Sequence, residues 1–161
     1  MAYSTYPVKR ITTAPAALVD FPADYWDCFT TPATHGSAEQ WARSSLQGAQ
    51  SFGGLFSFVV WQGVLGFSLD APAAPGTVAG WRMTEQSSGR CVLDADGRLM
   101  RGRMVFDVAG EEATWTTMIH YHRLLARPIW ELAANAHRAL VPQCLRGAQR
   151  TLNRADTTSQ P

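Results

Sequence analysis

At 161 residues the chain is about one domain long, and a domain of that size buries roughly 70% of the surface its unfolded chain would expose. An apolar fraction of 46%, with six Trp and seven Phe, excludes a disordered chain, which lacks the aromatic surface needed to offset ordering entropy. A formal net charge of +1, from 14 basic and 13 acidic residues, excludes attraction of nucleic acid or an acidic membrane by bulk charge. Lys9 is the only lysine among the basic residues and alanine is abundant, a bias we read as that of a high-GC bacterial genome.

The first 20 residues, with Pro7, Pro15 and the pair Thr12-Thr13, predict an extended arm that is poorly ordered at its start. Ala14 to Val19 is too short and too interrupted for a secretory core. Leu55 to Leu69, broken by Gln62, falls short of a membrane span of roughly 20 residues. A cytoplasmic protein is the default expectation. A first strand is predicted from Asp24 to Thr31, where Tyr25, Trp26 and Phe29 precede Pro32. Ser37 followed by Gln40 is a capping-box pattern and predicts a helix from Ala38 through Trp41 and Leu46 to about Gly48. A second helix over Phe52 to Gly63 competes with a strand there.

After the proline-rich loop Asp70 to Gly76, strand-like runs follow at Thr77 to Gln86, Arg90 to Asp94, Arg98 to Val108 and Glu112 to His122. They are divided by Ser87-Ser88-Gly89, Asp94-Ala95-Asp96-Gly97 and Ala109-Gly110-Glu111, which have the chemistry of tight hairpins. In the third run Met100, Gly102, Met104, Phe106 and Val108 share one face, with Arg101, Arg103 and Asp107 on the other, which predicts one core side and one wet side. In the fourth, Trp115, Thr117, Ile119 and Tyr121 oppose Thr116, Met118, His120 and His122, so both faces are expected to be partly covered. Pro128 opens a helix that runs to about Leu152, with Ala136, Leu140, Cys144, Ala148 and Leu152 expected inside and Arg138, Arg146 and Arg150 outside. Pro142 is expected to kink or divide it. Residues 154–161 read as a disordered tail, leaving 21–153 as a single α+β domain: a curved antiparallel sheet around a long C-terminal helix, with two shorter helices after the first strand, the helix-grip order.

Val78-Ala79-Gly80-Trp81-Arg82, Thr116-Thr117 running to His122, Arg127 and the pair His137-Arg138 resemble the marks of a bacterial family of unknown function in the START-like superfamily. Some of its members are joined to an NAD(P)-binding Rossmann protein. The resemblance covers about Asp24 to Leu152, with Ala126 and Arg123 standing where similar proteins tend to have Gly before the Arg and Asn after the His. It implies a cavity between sheet and C-terminal helix that binds a hydrophobic or aromatic small molecule, and in some branches cyclase or dehydratase chemistry.

The candidate pocket residues are Trp81, Arg82, Met100, Met104, Phe106, Trp115, Ile119, His120, Tyr121, His122, Ala136 and Leu140. Met suits an adaptable cavity wall and equally fills an irregular core, so a lined cavity and a solid interior both follow from this pattern. His120 and His122 point to one face and offer two imidazoles to a ligand or to structural hydrogen bonds, but no third metal ligand stands at an instructive spacing. His137 is expected to pack or to hydrogen-bond with Arg138 or Arg127. Cys28, Cys91 and Cys144 share no zinc or disulfide spacing and are expected as reduced, buried thiols. Arg82, Arg101 and Arg103 stand close in sequence to Asp94, Asp96, Asp107 and Glu111, which reads as a solvated mixed-charge face. No phosphate loop or nucleophile motif is present, so no cofactor, metal or nucleic acid is expected and no catalytic residue is assigned. A homodimer or other interaction module is the remaining alternative.

Overall fold

A computed structural model of the chain describes residues 7–18, 20–51 and 60–158. Its strands are β1 (Lys9–Ile11), β2 (Tyr25–Pro32), β3 (Phe67–Ser68), β4 (Thr77–Val78), β5 (Trp81–Gln86), β6 (Arg90–Gly97), β7 (Met100–Ala109) and β8 (Glu112–Tyr121). Its α-helices are α1 (Ala38–Ser51) and α2 (Ala126–Thr158). The fold is α+β: one eight-stranded antiparallel sheet in the order β1-β2-β8-β7-β6-β5-β4, with β3 paired to β6 off that path, and a long C-terminal helix. No helix among the described residues is long and apolar enough to cross a membrane.

The capping box forms as its residues require, Ser37 N–H donating to Gln40 Oε1 at 2.8 Å and Gln40 N–H to Ser37 Oγ at 3.3 Å. Most of the second expected helix, residues 52–59, lies outside the described residues, and its described end, Val60–Val64, is a π-helical turn. The N-terminal arm joins the sheet: β1 pairs with β2 through Lys9 and Thr30, because the free edge of β2 carries backbone groups that need partners.

Two turn assignments move. The run Thr77 to Gln86 is a hairpin, folded at Ala79 (φ 52°) and Gly80 (φ 85°), the two positive dihedrals of a two-residue loop. Asp94 to Gly97 is strand, and the chain turns one step later at Arg98-Leu99. Gly97 is needed there for close approach: a Cβ on it would lie 2.2 Å from Gly66 O on the chain entering β3.

The face of the sheet toward the helices carries Phe29, Trp81, Cys91, Leu93, Met100, Met104, Phe106, Trp115 and Ile119, all in one core with Trp41 of α1 and Trp130 of α2. Burying each large side chain contributes about 1.5–3 kcal/mol. Gly102 lies on the same face, where Trp81 and Phe67 pack over it so closely that a Cβ would stand 2.9 and 3.0 Å from their rings. The opposite face of β7 is less wet than its Arg and Asp residues predict. Phe21 and Ala17 from the arm close over Val92, Val105 and Met118 as a second, smaller core.

The helix α2 is gripped on a different row from the expected one. Ala126, Trp130, Ala134, His137, Val141, Leu145, Ala148 and Leu152 are buried, at steps of four, four and three residues that then repeat. At about 100° per residue a strict row of four drifts by about 40° each step. The row from Ala136 therefore starts on the far side, with Ala136 and Leu140 exposed, and reaches the core only toward Ala148. Arg138 lies near the buried stripe and is half-buried, whereas Arg150 is exposed. The helix continues through Pro142 without a break. Val141 and Leu145, packed on either side, outweigh the backbone bond that proline removes.

Leu145→Ala is expected to cost about 2–5 kcal/mol in urea denaturation and Leu140→Ala no more than about 0.5 kcal/mol; equal losses would contradict the assigned helix face. Gly102→Ala is expected to cost about 1–3 kcal/mol through overpacking against Trp81 and Phe67, measured the same way.

Candidate functional site

Between the sheet and α2 lies a polar cluster in largely apolar surroundings. Asp27 stands on β2 with its side chain toward the helices, flanked on that face by Tyr25 and Phe29. It is 1% exposed. Tyr25 donates its hydroxyl to Asp27 Oδ2 at 2.6 Å, and Arg138 Nη1 reaches Tyr25 Oη at 3.5 Å. His137, 8% exposed on the buried stripe of α2, sets Nε2 at 3.0 Å from Thr117 Oγ1 and 3.5 Å from Asp27 Oδ1. Thr117 is the cross-strand partner of Asp27, so the β2–β8 register brings all three together. The chain of groups runs from half-buried Arg138 through Tyr25 to the buried Asp27 and His137.

Aromatic rings wall this cluster. The centroids of Trp61, Trp115 and Trp130 lie 6.2, 6.2 and 5.6 Å from that of His137. Trp61, on the π-helical turn, also meets Phe67 at 5.6 Å and Trp81 at 5.1 Å. The indole Nε1 atoms of Trp115 and Trp130 and Asp27 Oδ1 are buried without a hydrogen-bond partner among the described residues. Among the described residues two indole donors thus go unmatched around a single imidazole, at a cost of roughly 1–3 kcal/mol each, while Asp27 Oδ1 has only its 3.5 Å contact with His137.

Electrostatics fixes two protonation states. Burial pushes the Asp27 carboxyl up, but His137 and the Tyr25 hydroxyl stabilise the carboxylate more, and the net effect holds it below its ordinary value. Burial, and then the adjacent Asp27 carboxylate, push the Tyr25 phenol up, so Tyr25 stays protonated as the donor. The arrangement presents an anionic acceptor, a neutral phenol and an imidazole within a few ångströms, inside a wall of indoles.

The sequence-predicted residues divide among three places. Trp81, Met100, Met104, Phe106, Trp115 and Ile119 are buried on the helix-facing side, with half-buried Tyr121 at the end of the same row. Arg82, His120 and His122 are on the opposite face, so they do not meet this cluster. There His120 Nδ1 lies 2.9 Å from Asp24 and His122 Nε2 2.8 Å from Asp96. Ala136 and Leu140 face away from the sheet. Asp27, Tyr25, Trp61 and Trp130 are absent from the sequence-based set. Asp27 was detectable as the acid inside an aromatic strand, two positions from Tyr25 and Phe29 and hence on their face. Among the described residues no group of three or more His, Cys, Asp or Glu side chains is placed to share a metal ion. Cys28 and Cys91 are buried, and burial pushes the Cys91 thiol up to about 11.

Fold and site together define an α+β protein with a long helix laid on an antiparallel sheet and a polar cluster enclosed between them. Comparison of the chain with protein-family models, curated proteins and solved structures gave no match.

A carboxyl whose folded value is lowered stabilises the fold above its ordinary value of 3.8, and that contribution is lost as pH falls through the lower folded value. Wild-type stability is therefore expected to fall more steeply below about pH 4 than that of Asp27→Asn, which is itself less stable near neutrality by about 1–3 kcal/mol. Urea titrations at several pH values measure both; parallel acid limbs would remove the carboxylate from this role.

Proposed function

We propose that this chain binds a small, largely apolar or aromatic molecule between the sheet and α2, its polar end held by Asp27, His137 and Tyr25. The observation that carries this reading is the pair of buried indole donors Trp115 Nε1 and Trp130 Nε1, unmatched among the described residues beside His137, with Asp27 Oδ1 held only by its 3.5 Å contact to that imidazole. A hydroxyl or carbonyl entering there satisfies buried groups that otherwise destabilise the fold, while the indoles and Met100, Met104 and Phe106 supply apolar surface. The START-like reading belongs to the same proposal, supported by the order of strands and helices and by the motif residues Trp81, Thr117, His137 and Arg138.

The geometry also favours a second use of the site. An ionised Asp27, a protonated Tyr25 and His137 between Asp27 and Thr117 form an acid/base set of the kind that cyclisation or dehydration of an aromatic precursor needs. Turnover then depends on His137, and His122, on the other face of the sheet, is dispensable.

Trp61, Trp115 and Trp130 make the site its own reporter. Protein purified without detergent is expected to carry a copurified small molecule in native mass spectrometry. Re-addition of that molecule is expected to change tryptophan emission and raise the melting temperature, with affinity about tenfold or more weaker in His137→Ala. No copurified molecule, with emission and melting temperature unmoved across a panel of lipids and aromatic polyketides, would reject the proposal.

A further inference from the structure

We propose that the opposite face of the sheet carries a second binding site, independent of the first: a cleft that takes the oxyanion of a small carboxylate or phosphomonoester. It lies where β6 changes edge partner. Asp94 pairs with Arg82 of β5, and two residues on Asp96 pairs with Ser68 of β3, so the two partner strands leave a gap between them. A cavity of about 520 Å³ opens at this gap, lined among others by Asp70, Arg82, Asp94, Asp96, Arg98 and Arg101. That volume falls within the roughly 300–1,000 Å³ of small-molecule sites.

Three arginines against three aspartates give no net charge, but the two sets are not equally engaged. The Asp94 carboxylate accepts both Arg103 Nε at 2.7 Å and Nη2 at 2.8 Å, with Thr84 Oγ1 at 3.2 Å and Arg101 Nη2 at 3.5 Å. Asp96 Oδ1 contacts His122 Nε2 at 2.8 Å and accepts the Gly97 N–H at 2.9 Å. The guanidinium groups keep most of their donors. Arg98 makes no hydrogen bond or ion pair with another described residue. Arg82 has one contact, 3.6 Å to Asp70, and Arg101 only its 3.5 Å contact to Asp94. Each guanidinium carries five N–H groups in a planar fork that matches a carboxylate or phosphate, so the unsatisfied capacity of this cleft is for an anion.

One fork is also held in place. The Arg101 guanidinium sits 5.4 Å over the Phe21 ring, and that of Arg103 sits 5.2 Å from the same ring, so the outer core fixes Arg101 before any ligand arrives. A preorganised donor loses less rotamer entropy on binding. The cavity exceeds what a bare phosphate fills, which argues for an organic molecule carrying the oxyanion.

Isothermal titration of the full chain at low salt, with inorganic phosphate in one arm and succinate in the other, tests the site. Wild type and Arg150→Ala, which loses the same charge on the exposed side of α2, are expected to bind one probe equally. Arg98→Ala, whose side chain has no partner to lose, and Arg98→Ala with Arg101→Ala are expected to bind it at least about tenfold more weakly. Heat with phosphate alone assigns a phosphomonoester and heat with succinate alone a carboxylate. No binding of either probe, or binding equally weakened in Arg150→Ala, overturns the proposal.

Discussion

The two-residue period of β8 is the constraint on which the rest depends. This strand lies between β2 and β7 and is covered on both faces, so each residue along it belongs to one side or the other with no intermediate position. Thr117 points toward α2 and meets His137, whereas Thr116 and Met118 on either side of it enter the opposite layer, with Cys28 and Val105. The same parity sends His120 and His122 outward to Asp24 and Asp96. A slip of one residue would exchange the two sets, placing imidazoles among the tryptophans and Trp115 in the smaller outer layer.

Burial on one face and exposure on the other give the two polar clusters different physics. Around Asp27 water is excluded, so each unmatched donor or acceptor carries a large desolvation cost and each correct partner a large gain. Across the sheet, Arg82 and Asp70 are largely exposed, and their attraction is screened by salt within about 10 Å at ordinary ionic strength. For the two proposed ligands, selectivity would rest on shape and hydrogen-bond complementarity on the inner side, and on the fit of planar guanidinium forks to an oxyanion on the outer side.

Much of this fold was legible in the sequence, and the parts that were not have physical causes. β7 was readable because Arg101, Arg103 and Asp107 alternate with Met100, Met104 and Phe106, so polarity marks the faces. In β8 the shared face of His120 and His122 was readable but its side was not, since Thr occurs on both faces and Met118 on one offsets Ile119 on the other. The Ala79-Gly80 loop escaped because alanine seldom takes a positive φ, and Gly97 read as a turn although it serves close strand approach. On α2, rows of alanine and leucine occur all round the helix, and only a mixture of four- and three-residue steps picks out the stripe ending in Ala148 and Leu152. The inner site was half visible: its aromatic wall was partly named, but its carboxylate was taken as one more strand residue.

The two ends of the sheet are unlike its middle. β1 has three residues and β4 two, against eight or ten in β2, β6, β7 and β8. One edge carries Lys9 and Arg10, and the other folds straight back at Ala79. A second molecule approaching edge-on finds few aligned amides on which to extend the ladder, and at one end it also meets positive charge. A long hydrogen-bonded sheet is thereby flanked by edges too short to serve as a ready template for fibrils, and the only lysine in the chain sits on one of them.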